Sequence, residues 1–530
     1  MIDLERVTYW YPESAAPALD EIDLHIEGGE RLIVAGLSGT GKSTLLRVFN
    51  GLVPHFYGGR FRGRARIGPW DTRRAGPTHL AEHVGMVFQE PHTRFLASTV
   101  DDEVAFGLEV AGAEAGEIRR RVNEVKHRLD IGNFQDRSLD RLSAGEQARV
   151  AIGAALARRP ACLVLDEPTT ELDPVAAVDL VAWLDQLSRE HGITIVVAEH
   201  RLGRWMGSAE RLAYLDSSRR LAACGRPENV ISRMPFGDPV REAARRLNLP
   251  DTTAAADLAR ALQMVPRSST SKAATPGSAG LIARGLSFAY EERPTLADVD
   301  VEVAPGEIVA LVGRNGSGKT TLLRCLMDLE HAASGDVHLN GSSLRGLPVV
   351  ERARHIGFVA QAPGSMLFAE SVEAELAFTL AGHGLQDHPP VDPAWLLDRF
   401  GLTAVRGAYP RDLSAGQRQR AALAAVLVTR PQVVLLDEPT LGMDPLAQRD
   451  LGVLLRAWAA DGTAVLVASH DVEFIAAYAD RVIALQGGTV AAAGPSAETL
   501  FGLPGFRTSL QTLTGKPWPA CPEDIRRLQR

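Results

Sequence analysis

Two octets in this chain have the residue types and spacing for phosphate chemistry. Gly36-Leu37-Ser38-Gly39-Thr40-Gly41-Lys42-Ser43 and Gly313-Arg314-Asn315-Gly316-Ser317-Gly318-Lys319-Thr320 both follow G-x-x-x-x-G-K-[ST]. Glycines let the backbone turn tightly and aim several N–H groups inward, and a following helix N-terminus adds partial positive charge. Lys42 and Lys319 would reach the β- and γ-phosphates of a nucleotide, and the hydroxyls of Ser43 and Thr320 would hold Mg²⁺. The expected nucleotide contacts run along each loop: Gly36, Ser38, Gly39, Thr40, Gly41 and Thr44 in the first, Gly313, Asn315, Gly316, Ser317, Gly318 and Thr321 in the second.

Each octet is followed by the same set of polar groups. Apolar runs end in Asp166-Glu167 and Asp437-Glu438, and charge at a buried strand end is costly unless it has a task. The first acid of each pair is placed to hold Mg²⁺ through water, and the second to orient or deprotonate an attacking water. Gln89 and Gln361 also end apolar runs, within reach of the metal or that water, and His200 and His470 end two more, where a γ-phosphate contact is expected. Ser143 and Ser414 cap helices, and with Gly145 and Gly416 each makes a second anion seat. Tyr11 and Tyr290 precede the octets; they suit stacking on an adenine ring, or packing as ordinary aromatics of an edge strand.

These groups need strands and helices to carry them. Leu32–Ala35 and Ile308–Val312 read as buried strands before the octets, and Thr44–Phe49 as a helix after the first. The landmarks recur in one order: Lys42 to Lys319 is 277 positions, Gln89 to Gln361 is 272, Asp166 to Asp437 is 271 and His200 to His470 is 270. That is a duplication of a whole domain, too long for a solenoid repeat. Alternating strands and helices predict a parallel α/β core in each copy. The capped helices are expected to run from Ser143 to Pro160 and from Ser414 to Pro431. Residues 266–280 are rich in Ser, Thr, Ala, Pro and Gly and read as a flexible linker. Arg60, Arg62, Arg64 and Arg66 alternate at strand period; an anionic contact is open to them, but an ordinary solvated face is the simpler reading.

The chain of 530 residues is too long for one core. Its net charge of −8 gives no support for direct nucleic-acid binding. Cys162, Cys224, Cys325 and Cys521 lack metal-binding spacing and read as reduced thiols of a cytosolic protein. The first residues do not read as a signal peptide, and no run of about 18 apolar residues suggests a transmembrane helix, so any work at a membrane would go through a partner.

The loop, the Gln, the L-S-x-G stretch, the apolar-Asp-Glu strand, the L/M-D-P turn (Leu172-Asp173-Pro174, Met443-Asp444-Pro445) and the His, in that order and twice, resemble the ATP-binding cassette (ABC) ATPases. The resemblance implies an α/β fold of two tandem P-loop cassettes, each with a RecA-like core, a small antiparallel β subdomain and a helical signature subdomain. It places a first cassette at 1–225, its helical tail at 226–265, the linker at 266–280, a second cassette at 281–500 and a C-terminal tail at 501–530. It also implies that the two cassettes pair head to tail within the chain, with ATP and Mg²⁺ between the loop of one and the Ser-Ala-Gly signature of the other. Lys42, Ser43, Gln89, Asp166, Glu167 and His200 would then meet Ser414 and Gly416, and Lys319, Thr320, Gln361, Asp437, Glu438 and His470 would meet Ser143 and Gly145.

Asn50–Gly59, Val104–Glu109, Ala198–Leu202 and Pro239–Leu247 resemble, within that family, the fused ATPase of energy-coupling factor (ECF) importers. This implies a peripheral motor on the cytoplasmic face of the membrane, a transmembrane coupling subunit, and a separate membrane subunit that binds a vitamin, a vitamin precursor or a metal ion; because neither copy lacks the catalytic Glu or His, both sites are expected to hydrolyse. The rivals are the ATPase of another ABC importer and a soluble ribosome-associated ABC protein; the short linker, rich in Ala, Ser and Pro and not a long charged helical pair, and the acidic chain speak against the latter. The sequence departs from the common signature at Ala144, Ala415, Glu146 and Ala148, and Glu171 stands where a small residue is usual.

Overall fold

A computed structural model describes residues 1–89, 95–129, 138–235, 239–249, 255–265 and 280–526. All but the last residue of the expected linker lies outside them. The chain forms two compact units, Met1–Asp238 and Pro239–Arg530.

In the first unit the strands are β1 (Ile2–Trp10), β2 (Leu19–Ile26), β3 (Arg31–Gly36), β4 (Arg60–Ile67), β5 (Trp70–Asp71), β6 (Val84–Val87), β7 (Cys162–Asp166), β8 (Thr194–Glu199), β9 (Arg211–Leu215) and β10 (Leu221–Gly225). One sheet is antiparallel, in the order β2-β1-β4-β5. The other runs β10-β9-β3-β8-β7-β6 and is parallel except for β10. The parallel strands are continuous apolar runs because both faces are covered. Leu32 and Val34 of β3 pack with Leu45, Val48 and the antiparallel sheet, while Ile33 and Ala35 pack with Leu180 and Leu184 of the helix Pro174–His191. The helices Val100–Val110, Ala115–Leu129 and Ala144–Leu156 close around Val104, Leu108, Val125, Leu129 and Val150 as a separate helical cluster.

The second unit repeats this plan: β11 (Leu281–Tyr290), β12 (Arg293–Val303), β13 (Ile308–Val312), β14 (Ser334–Leu339), β15 (Ser342–Ser343), β16 (Ile356–Val359), β17 (Val433–Asp437), β18 (Ala464–Ala468), β19 (Arg481–Gln486) and β20 (Thr489–Pro495). Its sheets are ordered β12-β11-β14-β15 and β16-β17-β18-β13-β19-β20.

The segment read as the first cassette's tail packs, from Pro239 on, inside the second unit. Ala243 and Ala244 of the helix Pro239–Arg246 and Leu258 and Leu262 of Ala255–Gln263 bury against Leu510 and Ile525 of the C-terminal helices. Arg246 adds an ion pair to Glu523 at 3.0 Å. Short helices cannot bury an apolar face alone, so the two tails cover each other.

The arginine row lies exposed along β4, with Arg60 and Arg62 over the Trp10 ring at 5.0 and 5.3 Å and Arg64 3.9 Å from Glu5.

Candidate functional site

In a parallel sheet the carboxyl ends of the strands share one edge, and the candidate groups gather there. In the first unit β3 ends at Gly36, β7 at Asp166 and β8 at Glu199, with Ala35 opposite Glu199 and Asp166 opposite Ala198. The loop after β3 turns through Gly39 and Gly41, whose φ values of 78° and 100° lie in the left-handed region open to glycine. The helix Lys42–Phe49 then starts at the lysine.

Lys42 is buried, and its Nζ donates to the carbonyls of Gly36 at 2.9 Å and Leu37 at 3.2 Å. It also lies 3.8 Å from Glu167 Oε1. Lys319 repeats the geometry, donating to Gly313 at 2.8 Å and Arg314 at 3.3 Å. Both ammonium groups are folded back over their loops and have the reach to turn outward to a phosphate.

The paired acids divide their roles by environment. Asp166 is buried; burial, with Glu167 beside it, pushes its carboxyl up to about 6. Burial likewise pushes Asp437 up to about 6. Among the described residues, Asp166 Oδ1 and both carboxyl oxygens of Asp437 are buried without a hydrogen-bond partner. Buried carboxylate oxygens left open beside Ser43 and Thr320 are hard donors of the kind Mg²⁺ takes, so the residues fit that ion. Burial also raises Glu167, but His200 and Lys42 outweigh it and hold its carboxyl at about 2. Glu438 is held below the usual range in the same way, burial being overcome by His470 and Lys319. Both glutamates are therefore ionised and able to accept a proton bond from water. Their φ values of 51° and 48° are left-handed, a strained backbone for an L-residue, and each N–H donates to the neighbouring strand, to Ala198 at 3.0 Å and Ala468 at 2.8 Å.

The histidines are buried and meet these glutamates: His200 Nδ1 lies 3.5 Å from Glu167 Oε1, and His470 Nδ1 2.9 Å from Glu438 Oε2. His200 Nε2 has no partner among the described residues. Gln89 Nε2 donates to Glu167 Oε2 at 3.3 Å. Gln361 lies exposed beyond β16, with no such bond among the described residues. The tyrosines also differ. The Tyr11 hydroxyl meets Thr44 Oγ1 at 3.1 Å and accepts from Arg47 at 3.0 Å, and its ring packs edge-on against Tyr9 and Tyr57. Tyr290 is exposed, edge-on to Phe288, and donates to Glu330 at 3.2 Å.

Ser143 and Ser414 do cap helices, Ala144–Leu156 and Ala415–Leu427, each in a full capping box. Glu146 is the reason the first box closes: its carboxylate accepts the Ser143 N–H at 2.7 Å, the place Gln417 takes for Ser414 at 2.9 Å. Gly416 is needed for space, since a Cβ there would meet the Gly442 carbonyl oxygen at 2.9 Å.

One feature escaped the sequence reading. Leu96 is 71 % exposed and Phe368 64 %, at the offset of 272 that also relates Gln89 to Gln361. Glu103 accepts the N–H groups of Leu96 and Ala97, each at 2.9 Å, and Glu375 accepts those of Phe368 and Ala369. Phe106 and Phe378, again 272 apart, are exposed nearby on the helices, and Phe378 stacks edge-on to Phe368 at 4.8 Å. A pair of acids at matched offsets was the available signal.

A family model described as ABC transporter matches residues 19–170 and 296–441. An ABC transporter ATP-binding protein of Streptomyces avermitilis, so named provisionally, is 39% identical over 96% of each chain. The Bacillus subtilis protein YkoD, provisionally named for HMP/thiamine import and ATP binding, is 31% identical over 99% of this chain and 97% of its own. Among solved structures, a model of ribosome-bound archaeal Pelota and ABCE1 aligns over 94% of this chain and 79% of its own with a TM-score of 0.65 at 20% identity, a likeness of fold.

Proposed function

The chain belongs to the ABC transporter family, as an ATPase with two cassettes, and from that premise we propose that it powers import through membrane partners of the ECF type. The observation that carries this reading is the set of exposed apolar side chains that follow each Gln in the chain, Leu96 and Phe106 in the first unit and the stacked Phe368 and Phe378 in the second. Exposed apolar side chains held in place by buried carboxylates, twice and at one offset, suit docking on an apolar partner. Among the described residues no helix is long and apolar enough to cross a membrane; in this reading a transmembrane coupling subunit and a membrane subunit that binds the cargo are the partners. The import name of the Bacillus subtilis relative supports a vitamin or vitamin precursor as cargo; a metal ion is the other class.

In this reading the chain sits on the cytoplasmic face of the membrane. ATP lies with Mg²⁺ on the loops, Lys42 and Lys319 turning to the phosphates. Ser43, Asp166 and Gln89 would hold the ion in one site, and Thr320, Asp437 and Gln361 in the other. Bound Mg²⁺ supplies charge neutralisation on the phosphates. Glu167 and Glu438 orient and deprotonate the attacking water, while His200 and His470 face the γ-phosphate. Tyr11 and Tyr290 border the adenine, and Ser143 with Gly145 and Ser414 with Gly416 offer further anion seats.

Affinity purification of the tagged chain from detergent-solubilised membranes tests the proposal. A hydrophobic membrane protein is expected to come with it, and Phe378→Asp is expected to lose that partner while keeping basal ATP hydrolysis. Recovery of ribosomes in place of a membrane protein refutes import and favours the ribosome-associated reading.

A further inference from the structure

Glu199, at the end of β8, is fully buried and has no part in the roles assigned above. Its Oε2 accepts the Thr169 hydroxyl at 2.7 Å. Its Oε1 accepts the backbone N–H of His200 at 2.9 Å and of Arg201 at 3.2 Å. One carboxylate thus fastens the loop that follows Glu167 to the loop that carries His200.

The second cassette has Ser469 at this place. Among the described residues the serine hydroxyl accepts the Asp471 N–H, at 3.1 Å, and has no other partner. Thr440, the counterpart of Thr169, has a buried hydroxyl with no partner among the described residues. The His470 N–H turns to Glu438 Oε2 instead, at 3.3 Å, and the His470 ring stands 2.9 Å from the same oxygen. In the first cassette the ring contact to Glu167 is 3.5 Å, and the backbone bond goes to Glu199. Glu167 Oε2 meanwhile accepts Gln89 at 3.3 Å and Thr170 at 3.4 Å, so the histidine backbone is bonded to the catalytic acid in the second cassette and to Glu199 in the first.

We infer that Glu199 is a positioning residue for ATP hydrolysis: it holds His200 by the backbone, stands 3.7 Å from its ring, and ties that loop to the one that follows Glu167. Among the described residues its side chain bonds to no phosphate-loop residue, so it acts on turnover and not on nucleotide affinity. A merely structural buried acid would alter stability without separating those two quantities.

The test is steady-state ATP hydrolysis by the full-length chain. Glu199→Ser, which copies the second cassette, should lower kcat about threefold or more with KM for ATP within about twofold. Glu199→Gln should keep most of the rate, because its amide can accept both N–H groups and donate to Thr169. Thr169→Val cuts the same fastening without touching the acid and should lower kcat as well, which keeps the inference testable if Glu199→Ser does not fold. The inference is overturned if folded Glu199→Ser or Thr169→Val keeps the parent kcat, if KM moves in place of kcat, or if Glu199→Gln loses as much as Glu199→Ser.

Discussion

Gly41 and Gly39 lie two residues apart in one loop, and alanine at each should have different consequences. At Gly39 φ is 78° and a Cβ would meet nothing within 4 Å. Alanine there carries only the left-handed penalty, about 1–2 kcal/mol. At Gly41 φ is 100°, and a Cβ would sit 2.4 Å from the Ala18 carbonyl oxygen and 3.0 Å from Leu19 Cδ2. That carbonyl cannot retreat freely, because the Ala18 N–H is bonded to Tyr9 at 2.7 Å and Leu19 begins β2. Pushing a backbone out of a packed position adds about 1–3 kcal/mol to the left-handed term, for about 2–5 kcal/mol in all. For a unit of this size each kcal/mol shifts Tm by about 2–4 °C, so Gly39→Ala should lose about 5 °C and Gly41→Ala about 10 °C. Thermal unfolding of the two single variants without nucleotide, followed by circular dichroism, reads the difference. Equal losses, or a larger one for Gly39→Ala, would refute the steric account of the loop.

The other predictions follow from local contacts. Leu262→Ala, in the helical cluster shared by the two tails, should cost about 2–5 kcal/mol, seen as faster hydrogen exchange in Pro239–Arg246 and Ser509–Thr514 while the strands stay protected. Ser414→Ala breaks the capping box and should cost about 1 kcal/mol; a fall in ATP turnover far beyond what that loss explains is expected, and unchanged turnover would remove Ser414 from the site. Single Glu167→Gln and Glu438→Gln variants should each reduce steady-state hydrolysis, and full activity in either would show that its cassette does not turn over. The hydrogen bonds of Asp3, and then of Glu27, raise His25 above 6.5. A raised folded value means the stabilisation is complete below 6.5 and fades as pH climbs through that value, and the exposed setting keeps it small. An NMR titration midpoint for His25 at or below 6.5 would contradict the contact.

Much of this arrangement was legible because it is written in short-range pattern. The loop glycines, the apolar runs of β3, β7 and β8 and the polar residue that ends each run are contiguous, and parallel strands buried on both faces read as unbroken hydrophobic stretches. The ends of elements were less legible. The capped helices stop at Leu156 and Leu427, short of Pro160 and Pro431, because Arg159 and Arg430 turn left-handed, with φ of 54° and 48°. Long-range pairing was not legible at all. That Ala243 would find Leu510, or that Glu103 would hold the Leu96 backbone, depends on where the rest of the chain runs, and single side chains of ordinary type carry no mark of it.

The duplication itself hides what matters most for turnover. Matched offsets invite the conclusion that two sites with the same landmarks work alike. Yet Gln89 touches its glutamate where Gln361 lies exposed, Tyr11 is braced by Thr44 and Arg47 where Tyr290 stands out in solvent, and Glu199 takes a backbone bond that Glu438 takes in its absence. Each difference arises outside the motif residues, in what holds them. A catalytic carboxylate and the histidine beside it work only as well as the bonds that aim them. Two copies of one motif set can therefore keep every catalytic group and still differ in rate, through a single residue that touches neither nucleotide nor metal.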